Sequence, residues 1–164
     1  MGHKNTLVEL EDEVRNIRER SEIKETYLLS LWGNYFSGPT ALELEQKHGM
    51  TRDDFNVLFT LAATGPLSAS KICILTGRPK NSISRAVIKL TNSDHLIREV
   101  AAGDRRKAYL RLTGKGLELY HSVLPIYTRR RDEMLAALTP NERRRLNDLL
   151  LKAIYSPGNW SRSY

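Results

Sequence analysis

Cysteine is almost absent: Cys73 is the single one in 164 residues. One thiol cannot close a disulfide within the chain, so no disulfide framework is expected and a reducing, cytoplasmic setting is. The four histidines, His3, His48, His95 and His121, are scattered and show no cysteine or carboxylate at ligand spacing, which excludes a recognisable metal site. Long apolar runs are missing too. Nothing approaches the ~18 apolar residues of a membrane span. The N-terminal MGHKNTLVELEDEVRN carries no apolar stretch of the secretory kind, so neither membrane nor export is expected. There is no nucleophile motif and no glycine-rich phosphate loop, because the glycines of GDRRKAYLRLTGKG flank a strand pattern instead of separating a strand from a helix. An enzyme is therefore not expected, and no cofactor is implied.

What the chain does have is a core-forming share of apolar residues, 40%, and an excess of base, with net charge +7 and pI about 9.7. Such a balance points to a polyanionic partner. The excess is localised: residues 51–113 hold eleven Lys/Arg against five Asp/Glu, whereas residues 1–22 hold four against six. The basic character thus belongs to the middle of the chain and not to a terminal tail.

Helical periodicity dominates. Leu7, Leu10, Val14 and Ile17 form a stripe too narrow to bury alone, which predicts an arm that needs a partner. IKETYLLSLWGNYF predicts a helix ending near Gly38-Pro39, and PTALELEQKHG a short one closed by Gly49. In TRDDFNVLFTLAATG, Thr51 caps a helix with Asp53 and Asp54 in its first turn, Phe55, Leu58, Phe59 and Ala62 as its apolar face, and Gly65-Pro66 as its stop. LSASKICILTG reads as a short helix between Ser68 and Gly77, and PKNSISRAVIKLTNSD as the next, opened by Pro79. Two short helices joined through a glycine form a helix-turn-helix pattern. LIREV and KAYLRLT read as strands around an Ala102-Gly103-Asp104 turn. A long helix follows from about Gly114 to Leu138, with Pro125 as a candidate kink, and TPNERRRLNDLLLKAI closes the chain with Thr139 and Glu142 as a capping box.

On the helix opened by Pro79, Ile83, Ala86, Val87 and Leu90 share one face, and Asn81, Ser82, Arg85 and Lys89 the other. Arg can fork onto guanine, Asn onto adenine, and Ser can meet either. Lys80 and Ser84 join them as candidate contacts, and Lys89 suits a phosphate. Helix, strand, cationic turn and strand make a winged-helix layout. The helix would enter a major groove, and the wing, with Arg105, Arg106 and Lys107, would reach the flanking minor groove. Asp104 repels phosphate, so its better use is to brace a neighbouring arginine, with Arg78, Arg105 and Arg106 as the choices.

DRRKAYLRLTGKG resembles the wing of the MarR family of transcriptional regulators, in Asp104, Arg106, Leu112-Thr113 and the Gly114-Lys115-Gly116 that opens the long helix. With the order of elements around it, the resemblance covers roughly residues 23–155. It implies a mainly α fold with a small β-hairpin wing: an arm (1–22), a dimerisation helix and linker (23–50), a winged helix-turn-helix lobe (51–113), dimerisation helices (114–156) and a tail (157–164). It implies a homodimer on a near-palindromic double-stranded DNA operator, more readily a repressor than an activator, with Arg106 as the minor-groove arginine and Asp104 as its brace. It also implies a small aromatic or phenolic effector held near Trp32, Phe36, Phe59, Tyr120 and His121, although core packing is the plainer role for the aromatics. Cys73 is expected as a small buried apolar residue. The runs at Arg129, Arg130, Arg131 and at Arg143, Arg144, Arg145 are expected as solvated faces. The rival reading is a winged helix that binds protein and has no operator.

Overall fold

The computed structural model describes residues 10–101 and 104–155, and within the hairpin it describes no side chain of residues 100, 101 or 104–107. The chain forms two compact units that divide after Pro39.

The first unit contains α1 (Glu11–Arg20) and the start of α2 (Lys24–His48). Acids fill the first turn of α1 and Arg18 and Arg20 its last, an order the helix dipole favours. Leu7 of the expected stripe lies outside the described residues, and no residue of α1 is buried. α2 corrects the sequence reading: it runs unbroken through Pro39, where two helices were expected. A proline inside a helix removes one amide donor and crowds the preceding turn. In a helix of 25 residues, the turns on either side carry the remaining hydrogen bonds. Gly49, at φ +60, ends α2 as expected, its amide donating to the Glu45 carbonyl at 2.8 Å.

The second unit holds the core. α3 (Arg52–Thr64), α4 (Ala69–Thr76) and α5 (Lys80–Asn92) precede an antiparallel hairpin of β1 (Leu96–Ala101) and β2 (Asp104–Leu112), followed by α6 (Gly114–Met134) and α7 (Pro140–Tyr155). Phe55, Val57, Leu58 and Leu61 of α3 are buried with Ile72, Ile83, Leu90, Leu96, Leu110, Val123 and Ile126, so α3 is the central helix of this unit. Its burial on so broad a front leaves Phe59 at the rim, half exposed, where a core position was expected.

The local signals explain the boundaries. Thr51 and Asp54 form a reciprocal capping box. Ser68 caps α4 by accepting from the Lys71 amide, and Gly77 closes it in the left-handed conformation. Leu67, read as part of the α4 segment, instead pairs as an isolated bridge with Leu110, amide to carbonyl in both directions at 3.2 and 2.8 Å. Thr113 caps α6, and its hydroxyl donates to the Asp94 carbonyl at 2.6 Å. Gly116 lies against the turn between α5 and β1: a Cβ there would sit 2.1 Å from the His95 carbonyl oxygen.

α6 passes through Pro125 and stops at Met134, short of the expected Leu138. Arg143 reaches back from α7 and donates to the carbonyls of Leu138 (3.1 Å) and Leu135 (2.7 Å), holding the connecting turn. The capping box at Thr139 and Glu142 is present. α7 buries none of its residues. Among the described residues, no helix is long and apolar enough to cross a membrane.

Candidate nucleic-acid interface

α5 buries Ile83, Ala86 and Leu90, with Val87 packed beside them. That fixes which side chains face outward. Lys80, Asn81, Ser84 and Arg85 are exposed and Ser82 is half-buried. Ile88 is exposed as well, and sequence reading passed over it because isoleucine in an amphipathic helix is assigned to the core by default.

Two adjacent carboxylates of α3 fix both ends of α5. Arg78, just before α5, forks onto Asp53, with Nε on Oδ1 at 2.6 Å and Nη2 on Oδ2 at 3.0 Å. The hydrogen bond from Arg78 holds the Asp53 carboxyl below its ordinary range, against a smaller opposing effect of burial. Near the other end, the Lys89 ammonium donates to Asp54 Oδ2 at 2.7 Å and to the Gly49 carbonyl at 2.8 Å. Asp54 is fully buried, and the same oxygen accepts the Thr51 amide at 2.8 Å. Lys89 thus neutralises a buried carboxylate, while its own side chain stays 46% exposed.

In the hairpin, Leu96 pairs with Leu112, Glu99 with Tyr109 and Val100 with Ala108, but the next pair is Ala101 with Asp104. β1 advances one residue there while β2 advances four, so the irregularity falls on the segment of Arg105, Arg106 and Lys107. Such bulges alter the twist and local direction of a strand. β2 therefore begins at Asp104, earlier than the expected Lys107. The side chains of Asp104, Arg105, Arg106 and Lys107 lie outside the described residues, and so does the expected brace. On the hairpin's exposed face, Arg111 donates to Glu99.

Of the expected effector residues, Trp32 and Phe36 stack on each other in the first unit, with centroids 5.9 Å apart. Phe59, Tyr120 and His121 join an aromatic array in the second. Phe55 lies 3.5 Å from Tyr127, 6.0 Å from Phe59 and 6.4 Å from Tyr120, which is 5.3 Å from His121. Burial pushes the Tyr127 hydroxyl up to about 12. Sequence reading missed Phe55 and Tyr127 as members, although Tyr120 and Tyr127 lie seven residues apart, on one helical face.

Cys73, expected to be buried, is only partly so and packs against the edge of the core. Among the described residues, no group of His, Cys, Asp and Glu could hold a metal ion. The arginine runs are largely paired: Arg129 with Glu43 and Glu133, Arg130 with Glu133, Arg131 with Asp132, and Arg144 with Asn141.

A helix-turn-helix whose second helix shows a polar face, followed by a bulged hairpin on a basic lobe, defines a winged helix-turn-helix DNA-binding protein. The description "MarR family" matches residues 48–107. An uncharacterised regulator of Bacillus subtilis, YkoM, is 31% identical over 66% of this chain and 70% of its own length, and the B. subtilis regulator MhqR is 34% identical over 58% and 66%. The chain belongs to the MarR family. It is a DNA-binding transcriptional regulator and not an enzyme. The fold agrees with solved structures. A MarR-family regulator from Silicibacter pomeroyi superposes with a TM-score of 0.78 at 23% identity, over 88% of this chain and 99% of that one. Bordetella bronchiseptica BpsR, whose DNA binding is regulated by 6-hydroxynicotinic acid, superposes with a TM-score of 0.70 at 21% identity, over 85% and 96%.

Proposed function

We propose that the protein is a homodimeric repressor that occupies a near-palindromic operator and is released by a small aromatic ligand. The outward face of α5 carries the reading: Asn81, Ser84 and Arg85 stand exposed on a helix fixed at both ends, within a lobe of strong positive charge. Lys80 and Ser82 flank them, and the wing supplies Arg105, Arg106 and Lys107. Asp104 braces a neighbouring arginine, one of Arg78, Arg105 and Arg106.

Dimerisation draws support from α7, which buries nothing on its own and leaves Leu151, Ile154 and Tyr155 exposed within ~100° of one another on one side. A second copy of the chain would cover such a face. Two lobes held this way would meet half-sites about one helical turn apart. The aromatic ligand draws support from the array around Phe55, where half-exposed Phe59 offers a ring face, and from the likeness to BpsR. A ligand binding one spacing of the two lobes better than another would shift operator affinity by that difference.

The test is a gel-shift series against salt. A steep loss of affinity with salt, at a sequence that a scrambled duplex cannot replace, is the expected outcome. Binding without preference for any sequence would favour a protein-binding winged helix.

A further inference from the structure

We propose that Ile88 reads DNA sequence by contact with the 5-methyl group of a thymine, one to two base pairs from the base met by Arg85. The proposal rests on α5 being the recognition helix. It departs from the polar contacts already assigned to that helix, because its ligand is the apolar feature of the major groove.

Ile88 is 57% exposed in the middle of a helix that already has a complete buried stripe. At ~100° per residue, it lies within about 60° of Asn81, Ser84 and Arg85, and about 140–160° from Ile83, Ala86 and Leu90. Turning it into the core would require rotating the helix, which would break the buried stripe, the Arg78–Asp53 fork and the Lys89–Asp54 pair together. The isoleucine is therefore fixed on the face that carries the base-reading candidates.

The basic lobe selects a polyanion as the occupant of that face. In the major groove, each base edge offers donors and acceptors, and thymine adds a methyl group. An isoleucine pressed against a donor or acceptor would remove its water and return no hydrogen bond. Against the thymine methyl, both partners lose apolar surface to each other. Side chain and methyl are both stiff, since a β-branched residue in a helix has one strongly preferred χ1 rotamer. Spacing fits as well. Arg85 and Ile88 are three residues apart, or ~4.5 Å along the helix axis, slightly more than the ~3.4 Å between successive base pairs.

The test replaces each thymine of a selected operator, one position at a time, with deoxyuridine, which removes the methyl and nothing else. Affinity is read by fluorescence anisotropy for the full-length wild-type protein and for Ile88→Ala. Wild type should lose about fourfold at one thymine per half-site, equivalent to ~0.8 kcal/mol for one buried methyl-sized group. Ile88→Ala should bind the thymine operator about fourfold more weakly and no longer distinguish thymine from deoxyuridine there. Its far-UV spectrum should be unchanged, because the side chain is exposed. Wild-type binding that is indifferent to every deoxyuridine overturns the proposal, as does a variant that keeps the wild-type discrimination. An Ile88→Ala variant with unaltered DNA affinity also overturns it, and leaves the exposed isoleucine to a protein partner. If wild type prefers no operator over a scrambled duplex, the recognition-helix reading itself falls and this proposal with it.

Discussion

Lys89 and Asp54 make one ion pair from two unequal sides, so the two halves should not be equally costly to lose. Lys89→Met leaves the Asp54 carboxylate buried, with the Thr51 amide at 2.8 Å as its remaining described partner. Breaking a buried pair in this way costs ~3–5 kcal/mol, and a value near the lower bound suits a carboxylate that keeps one amide donor. Asp54→Asn leaves an ammonium whose side chain is 46% exposed and which retains the Gly49 carbonyl at 2.8 Å. Water can take over its solvation, so the loss should be ~1–2 kcal/mol. For a chain of this size, ~1 kcal/mol moves the melting midpoint by ~2–4 °C, so Lys89→Met should lower it by ~6–12 °C and Asp54→Asn by ~2–8 °C. Thermal melts give the midpoint shifts and urea titrations the free-energy losses, both followed by far-UV circular dichroism at one fixed protein concentration. Equal losses, or a larger loss for Asp54→Asn, would refute the reasoning. The same Lys89 variant separates structure from DNA contact. Below its midpoint, a slope of log affinity against log salt that matches wild type is expected for a purely internal role, whereas a fall of ~0.9 would mark Lys89 as a phosphate contact.

Gly116→Ala should destabilise by ~3 kcal/mol or more, because its Cβ would meet a backbone oxygen that no rotamer change can move, whereas Gly114→Ala, with nothing within 4 Å, should be neutral or slightly stabilising. Thermal melts of the pair decide it. The Asp53 carboxyl is held below its ordinary range by Arg78, so its contribution is complete above the unfolded value of ~3.9 and is lost as pH falls through the folded value. Asp53→Asn should therefore be less stable than wild type at neutral pH and show a smaller further loss in acid, and parallel stability curves for the two from pH 5 to 2 would contradict this. On DNA, Arg106→Ala should weaken operator binding by ~1–3 kcal/mol, and Arg85→Ala should relax the sequence recovered in a binding-site selection. Unchanged affinity for the first, or an unchanged motif for the second, would remove that residue from the interface.

Local chemistry made the boundaries legible. Thr51, Ser68 and Thr139 cap helices where their sequence patterns place them, and Gly49 and Gly77 close helices through positive φ, because a cap is decided by three or four neighbouring residues. The stripe of α5 was equally plain, since one period of 3.6 residues suffices to sort Ile83, Ala86 and Leu90 from Arg85. What escaped depends on residues far apart in sequence. Pro39 looked like a break because its local cost is visible and the compensating length of the helix is not. The Lys89 ion pair was not legible because its partner, Asp54, lies 35 residues away. The Leu67 bridge had no signal at all, being one residue between a stop and a cap.

Residues 53, 54 and 55 each address a different element: the turn before α5, the last turns of α5, and the rings of α6. One helical step is ~100°, so inserting a single residue into that first turn of α3 would misdirect all three at once. A substitution there removes one contact, while an insertion removes the common register. The N-terminal turn of α3 should thus tolerate changes of residue far better than changes of length, the reverse of what an exposed loop allows.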